Sequence, residues 1–186
     1  YDTPGEKPLT WGGEYNPLVN SALYTDKAIG EYMANAKKQA WFDNTLFIFI
    51  ADHSCNSPKN RQYDSPDHFR VPLLFYGNVL KEEFRGDKNG CVSSQTDMIA
   101  TLFAQLKFDA STFSWSKNLM NPHSKEFAYY AYYDGFGWVK PEGNFSFENR
   151  FKNFSIENFT DSTKKDQIIL EGNSYMQTLF QNYLDY

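Results

Sequence analysis

Only two cysteines, Cys55 and Cys91, occur in 186 residues. A disulfide framework therefore cannot hold this chain together: two thiols, or one bridge in an oxidising compartment, are the readings left. No apolar run reaches the length of a membrane-spanning helix, and the opening residues do not read as a signal peptide. Blocks of Lys or Arg are absent and the net charge is −5, which argues against a nucleic-acid-binding surface. No G-x-S-x-G elbow and no Gly-rich phosphate loop occur, and Ser54, Ser57 and Ser65 are loop serines with no evident base partner. Internal repeats and low-complexity tracts are missing as well.

Aromatic residues are abundant. Hydrophobic residues make up 41% of the chain, with 17 Phe and 13 Tyr, ample for a packed interior and contrary to disorder. The length fits one domain or a large piece of a bigger one. Three Asn-x-Ser/Thr sequons begin at Asn144, Asn153 and Asn158. In so Asn-rich a chain they fit chance, and they matter only for a secreted eukaryotic protein.

Prolines and glycines make residues 1–18 an irregular connection. A helix is expected from Ser21 to Ala40, then a strand over Thr45–Ile50 that is apolar enough to be buried on both faces. Ser54 to Asp67 reads as loop. Val71 to Tyr76 reads as a second strand, which Pro72 demotes to an edge. Ser94-Gln-Thr-Asp97 has the form of a capping box opening a helix through Leu106, with Met98, Ile99, Leu102, Phe103 and Leu106 on its buried face. A third strand is expected over Phe127–Tyr133, a turn at Gly135 and Gly137, a hairpin across Pro141–Asn144 and a last helix over Lys164–Tyr183. The order is α/β, with a mixed sheet.

The chemistry concentrates where the first strand ends, at Asp52 and His53. Ligands bind beyond the carboxyl ends of strands in open α/β sheets. A carboxylate beside an imidazole can hold a divalent cation, or it can simply cap the strand. His68 follows across a loop that could fold back, while His123 sits in a polar turn and reads as idle. Arg70 matches an oxyanion such as sulfate or phosphate, or else a surface ion pair with Asp64 or Asp67. Lys59 and Arg61 either line the same anion pocket or keep the loop soluble.

Five pieces in order, Tyr24-Thr-Asp-Lys-Ala-Ile-Gly30, Trp41-Phe-Asp-Asn-Thr-Leu46, Ala51-Asp-His53, Arg70-Val-Pro-Leu73 and Ser94-Gln-Thr-Asp97, resemble the C-terminal part of a sulfatase-type catalytic domain of the alkaline phosphatase superfamily. The branch they resemble most is the lipoteichoic acid synthase-like phosphoglycerol transferases and their relatives in Bacteroidetes. The resemblance implies that residues 1–186 are the C-terminal portion of an α/β/α sandwich. It implies a divalent metal, manganese before calcium, magnesium or zinc, with Asp52 and His53 among its ligands and Arg70, His68 and Lys59 as contacts to the sulfate or phosphate ester. The nucleophile (Thr or formylglycine in such families) maps onto no residue here, so the isolated chain is expected to be inactive without the N-terminal half of the same protein. That half would also carry the membrane anchor, placing the enzyme on the periplasmic or extracellular face. Without it, exposed sheet edges should make the chain self-associate. The competing reading is a non-catalytic module that binds an envelope glycan or lipid.

Overall fold

A computed structural model describes residues 3–55 and 60–186. The chain divides into two compact units: residues 1–61 with 71–87, and residues 62–70 with 88–186.

In the first unit, helix α1 (Asn16–Ala36) starts five residues earlier than expected. Pro17 lies in its first turn, where a missing N–H costs nothing, so this proline begins a helix instead of breaking one. The Asn16 carboxamide accepts the N–H groups of Trp11 (2.7 Å) and Gly12 (3.1 Å). Buried Asn20 exchanges two hydrogen bonds with the Leu9 backbone, at 3.0 and 2.8 Å, which ties the irregular opening to the helix. After α1 the chain turns through Phe42–Asn44 into strand β1 (Phe47–Ile50), which pairs antiparallel with β2 (Leu73–Tyr76). Strand β2 begins beyond Pro72, which has no N–H to donate to the ladder. Gly77, at φ +146°, lets the chain leave β2 against the Thr45 carbonyl, where a Cβ would sit at 2.4 Å. Ala36, Phe42 and Phe47 form the small core. The expectation that β1 is buried on both faces does not hold within this chain. Phe47 is buried but Ile50 is exposed, because among the described residues β1 has β2 as its only strand neighbour.

The second unit is built on strands β3 (Ala128–Tyr132), β4 (Gly135–Lys140), β5 (Gly143–Glu148) and β6 (Asn153–Phe159), an antiparallel meander in sequential order. Every ladder among the described residues is antiparallel, so the parallel neighbours that a mixed sheet needs are not among these strands. One sheet face is aromatic: Phe136, Trp138 and Phe145 pack with Ile168 of helix α4 (Lys165–Asp185). Gly172 lets α4 approach, since a Cβ there would meet Phe145 Cζ at 2.6 Å.

The other face explains why Gly135 and Gly137 lie inside β4 and not in the expected turn. Gly137 is paired with Tyr130 on β3 and Ser146 on β5. The Tyr130 ring lies over Gly137, where a Cβ would be 2.0 Å from the ring. Tyr132 lies over Gly135 in the same way. Strand β6 has a weak sequence signal, because its apolar residues, Phe154, Ile156 and Phe159, are only half-buried and are interrupted by asparagines. The sequons Asn153 and Asn158 stand on it.

Helix α3 (Asp97–Leu106) departs furthest from expectation. Its buried residues are Asp97, Ala100 and Thr101, while Leu106 is exposed. Asp97 is 0% exposed. Its carboxylate accepts the N–H groups of Ser94 (2.8 Å) and Lys117 (2.9 Å) and the Lys117 ammonium (2.6 Å). The first of these is the reciprocal half of the capping box. Lys117 Nζ also donates to the Phe127 carbonyl (3.3 Å) and stands 3.9 Å over the Phe127 ring centroid.

Two outcomes are expected. Lys117→Met strands a buried carboxylate and should cost about 3–5 kcal/mol in urea unfolding, whereas Asp97→Asn with Lys117→Met should cost much less. Burial pushes the phenols of Tyr129, Tyr130, Tyr132 and Tyr175 up, for Tyr130 in spite of its bond to Ser146. In the unfolded chain these phenols ionise near pH 10. Stability should thus be full below about pH 10 and fall as the pH rises above it, because the unfolded state releases its protons first. Phenolate absorbance should show these four groups titrating above the range of an exposed tyrosine. Four ordinary titrations in the folded chain would refute the packing described.

Candidate functional site

Strand β1 runs out at Ile50, and one more backbone bond, Ala51 N–H to the Pro72 carbonyl at 3.4 Å, holds the strand pair at this point. The chain then releases Asp52 and His53 into solvent, with side chains 86% and 81% exposed. Their mutual geometry is defined. The His53 N–H donates to Asp52 Oδ1 at 2.8 Å, and His53 Nδ1 lies 2.8 Å from the Ser54 carbonyl. A carbonyl can only accept, so Nδ1 carries the proton in that bond and the Nε2 lone pair is left outward when the ring is neutral. Nε2 then stands 3.5 Å from Asp52 Oδ2.

Two acceptors that close are compatible in two ways. The ring can be an imidazolium paired with the carboxylate, or both atoms can share a cation. With ligand bonds of about 2.1 Å in tetrahedral geometry, two donor atoms lie roughly 3.4 Å apart. The observed spacing fits a pair of ligands on one ion. Among the described residues no group of three His, Cys, Asp or Glu side chains stands ready to enclose a metal. The pair by itself falls short of the three or four protein ligands that a metal site usually has.

The residues expected at the ester are arranged differently. Lys59 lies outside the described residues. His68 sits in a one-turn helix, α2 (Pro66–Phe69), which begins inside the expected loop and runs two residues past its end; it is half-buried and edge-on to the Phe69 ring at 5.0 Å. Arg70 caps that turn with an extended backbone and an exposed side chain. It forms no ion pair with Asp64 or Asp67 among the described residues. Asp52 and His53 belong to the first unit, His68 and Arg70 to the second. His123 is exposed, as expected. No disulfide joins Cys55 and Cys91, and the Cys91 thiol donates to Asn89 Oδ1 at 2.8 Å.

In the sequence, Asp64 stands out only as a partner for Arg70, yet it is buried. It is 3% exposed, and its backbone carbonyl accepts bonds from both Tyr130 Oη (3.0 Å) and Ser146 Oγ (2.7 Å). Nothing in the local sequence announces this, since the partners lie 66 and 82 residues away. The alternation of Tyr130 and Tyr132 with Gly135 and Gly137 is its only trace in the sequence.

Comparison with known proteins places these residues in a family. The family model described as Sulfatase matches residues 2–108, a span that includes Asp52, His53, His68, Arg70 and Asp97. Among solved structures, the chain is similar to a protein in the alkaline phosphatase superfamily from Vibrio parahaemolyticus, at 22% identity and a TM-score of 0.70. The match covers 98% of this chain and 46% of that one, so the chain spans about half the length of its structural neighbour.

The tautomer is open to direct observation. With the ring neutral, long-range proton–nitrogen correlation spectra should show His53 with its proton on Nδ1. A proton on Nε2 in the metal-free chain would remove the argument that this lone pair faces outward.

Proposed function

The chain belongs to the sulfatase family, and from that premise we propose that it is the part of a metal-dependent ester-cleaving or ester-transferring enzyme that contributes Asp52 and His53 as metal ligands. Its fold is that of a protein in the alkaline phosphatase superfamily. One observation carries the metal reading: a carboxylate oxygen and an imidazole nitrogen stand 3.5 Å apart at the end of β1, with the ring oriented by a backbone carbonyl. Ring orientation by the second nitrogen is the arrangement that metal-ligating histidines use. The remaining ligands and the nucleophile belong to sequence outside these residues.

A bound divalent ion, manganese first among the candidates, would activate the nucleophilic hydroxyl and offset charge on the transferring group. The chain's own residues have narrower tasks. The Ser54 carbonyl holds the His53 ring in one tautomer, and Asp52 supplies the negative charge that favours a dication over a lone proton. Arg70 presents a planar set of donors that suits sulfate and phosphate oxygens alike. His68, on the same segment, is a further contact to the anion. We place the enzyme among the phosphoglycerol transferase-like members, acting on sulfate or phosphate esters of the cell envelope from a membrane-anchored position outside the cytoplasm. The ordered residue series from Tyr24 to Asp97 supports that branch.

The test is metal content and turnover of p-nitrophenyl sulfate and bis(p-nitrophenyl) phosphate, on the full-length protein and on this chain. About one divalent ion per full-length molecule is expected, with turnover there and none in the chain alone. Asp52→Ala should reduce both by more than the roughly 10- to 100-fold that loss of a supporting contact costs. Undiminished metal and turnover in that variant would sink the assignment.

A further inference from the structure

The segment 62–70 leaves the first unit's chain path and packs with the second unit. It carries His68 and Arg70, and both of its ends are held by one side chain. At the first end, the Asp64 carbonyl accepts from Tyr130 Oη and Ser146 Oγ, while those two hydroxyls are themselves 2.7 Å apart. At the other end, the Phe69 ring stacks on the Tyr130 ring at 4.3 Å and 18°. Two backbone turns lead into and wind α2, through Ser65 N–H to the Gln62 carbonyl and His68 N–H to the Ser65 carbonyl, each 3.0 Å.

The ring reaches Ser146 because it crosses β4 at a residue without a side chain. Tyr130, Gly137 and Ser146 form one row across three strands. Any Cβ at Gly137 would collide with the ring edge, at 2.0–2.4 Å. Tyr130 and Ser146 are both buried, so the bonds made by their two hydroxyl protons within this cluster of three oxygens are shielded from competing water.

We propose that Tyr130, laid across Gly137 onto Ser146, is a positioning residue that fixes the segment bearing His68 and Arg70 for the substrate anion. On this view the antiparallel meander, which lies beyond the stretch matched by the family model, is the seat of the anion-binding segment. The inference rests on the reading of Arg70 and His68 as anion contacts given above.

The experiment uses the full-length protein and two readouts: hydrogen exchange over residues 62–70, and affinity for inorganic sulfate and phosphate by calorimetry. Tyr130→Phe and Ser146→Ala should speed exchange of the 64–69 amides and weaken the favoured anion on the order of tenfold, with metal content unchanged. Gly137→Ala, which keeps the hydroxyl but blocks the ring, should do the same; if it does not fold, the other two variants still decide. Faster exchange with unaltered anion affinity would overturn the positioning role and leave a purely structural contact. Unaltered exchange would overturn it as well. Arg70→Ala separates the two levels. If Arg70→Ala leaves affinity intact, or if neither anion binds the unmodified protein, the underlying reading of these contacts fails and the inference falls with it.

Discussion

The Asp97 carboxylate is the constraint around which the second unit is organised. Taking an ionised carboxylate wholly out of water costs several kcal/mol unless donors replace the lost hydration. Here two backbone N–H groups and the Lys117 ammonium do so, and those donors come from separate parts of the chain. The first turn of α3, the irregular stretch around Lys117 and the entry to β3 at Phe127 are thereby held to one point. Nearby polar bonds extend the arrangement: Thr101 Oγ1 accepts the Leu119 N–H at 2.9 Å, and Ser116 Oγ accepts the Ala100 N–H at 2.9 Å. A segment with little regular structure is thus ordered by hydrogen bonds to a helix whose buried face is polar.

From that anchored entry the meander presents two faces with different physical characters. Its aromatic face buries Phe136, Trp138 and Phe145 against α4 and supplies the apolar area that any small domain needs. The opposite face has tyrosines lying over glycines, and its contact with residues 62–70 joins hydrogen bonds to ring stacking. Glycine in a strand normally weakens it. At Gly135 and Gly137 the lost packing is replaced by the neighbouring strand's phenol rings.

The candidate metal pair depends on little of this. Asp52 and His53 follow β1 directly, and their arrangement is set by their own backbone and by Ser54. That is why the pair was legible in the sequence: strand, acid and imidazole are consecutive, and the chemistry is local. The helices α1, α3 and α4, the β3 strand and the β4–β5 hairpin were legible for a similar reason, since apolar periodicity reports which residues can share a face. Less was visible where a short element had no periodicity of its own, as in α2, or where apolar residues were diluted by asparagine, as in β6.

The sequence by itself determined the α/β class, most element positions, the Asp52–His53 pair and the family resemblance, because each is carried by residues close together or in a fixed order. Only the tertiary structure decided that the apolar-looking helix α3 buries Asp97, that Gly135 and Gly137 belong inside a strand, and that Asp64 is fastened to Tyr130 and Ser146. Those outcomes depend on partners as much as 82 residues away. A side chain's own chemistry states that it needs a partner, but which partner arrives is settled by how the strands register and what the packed faces leave room for.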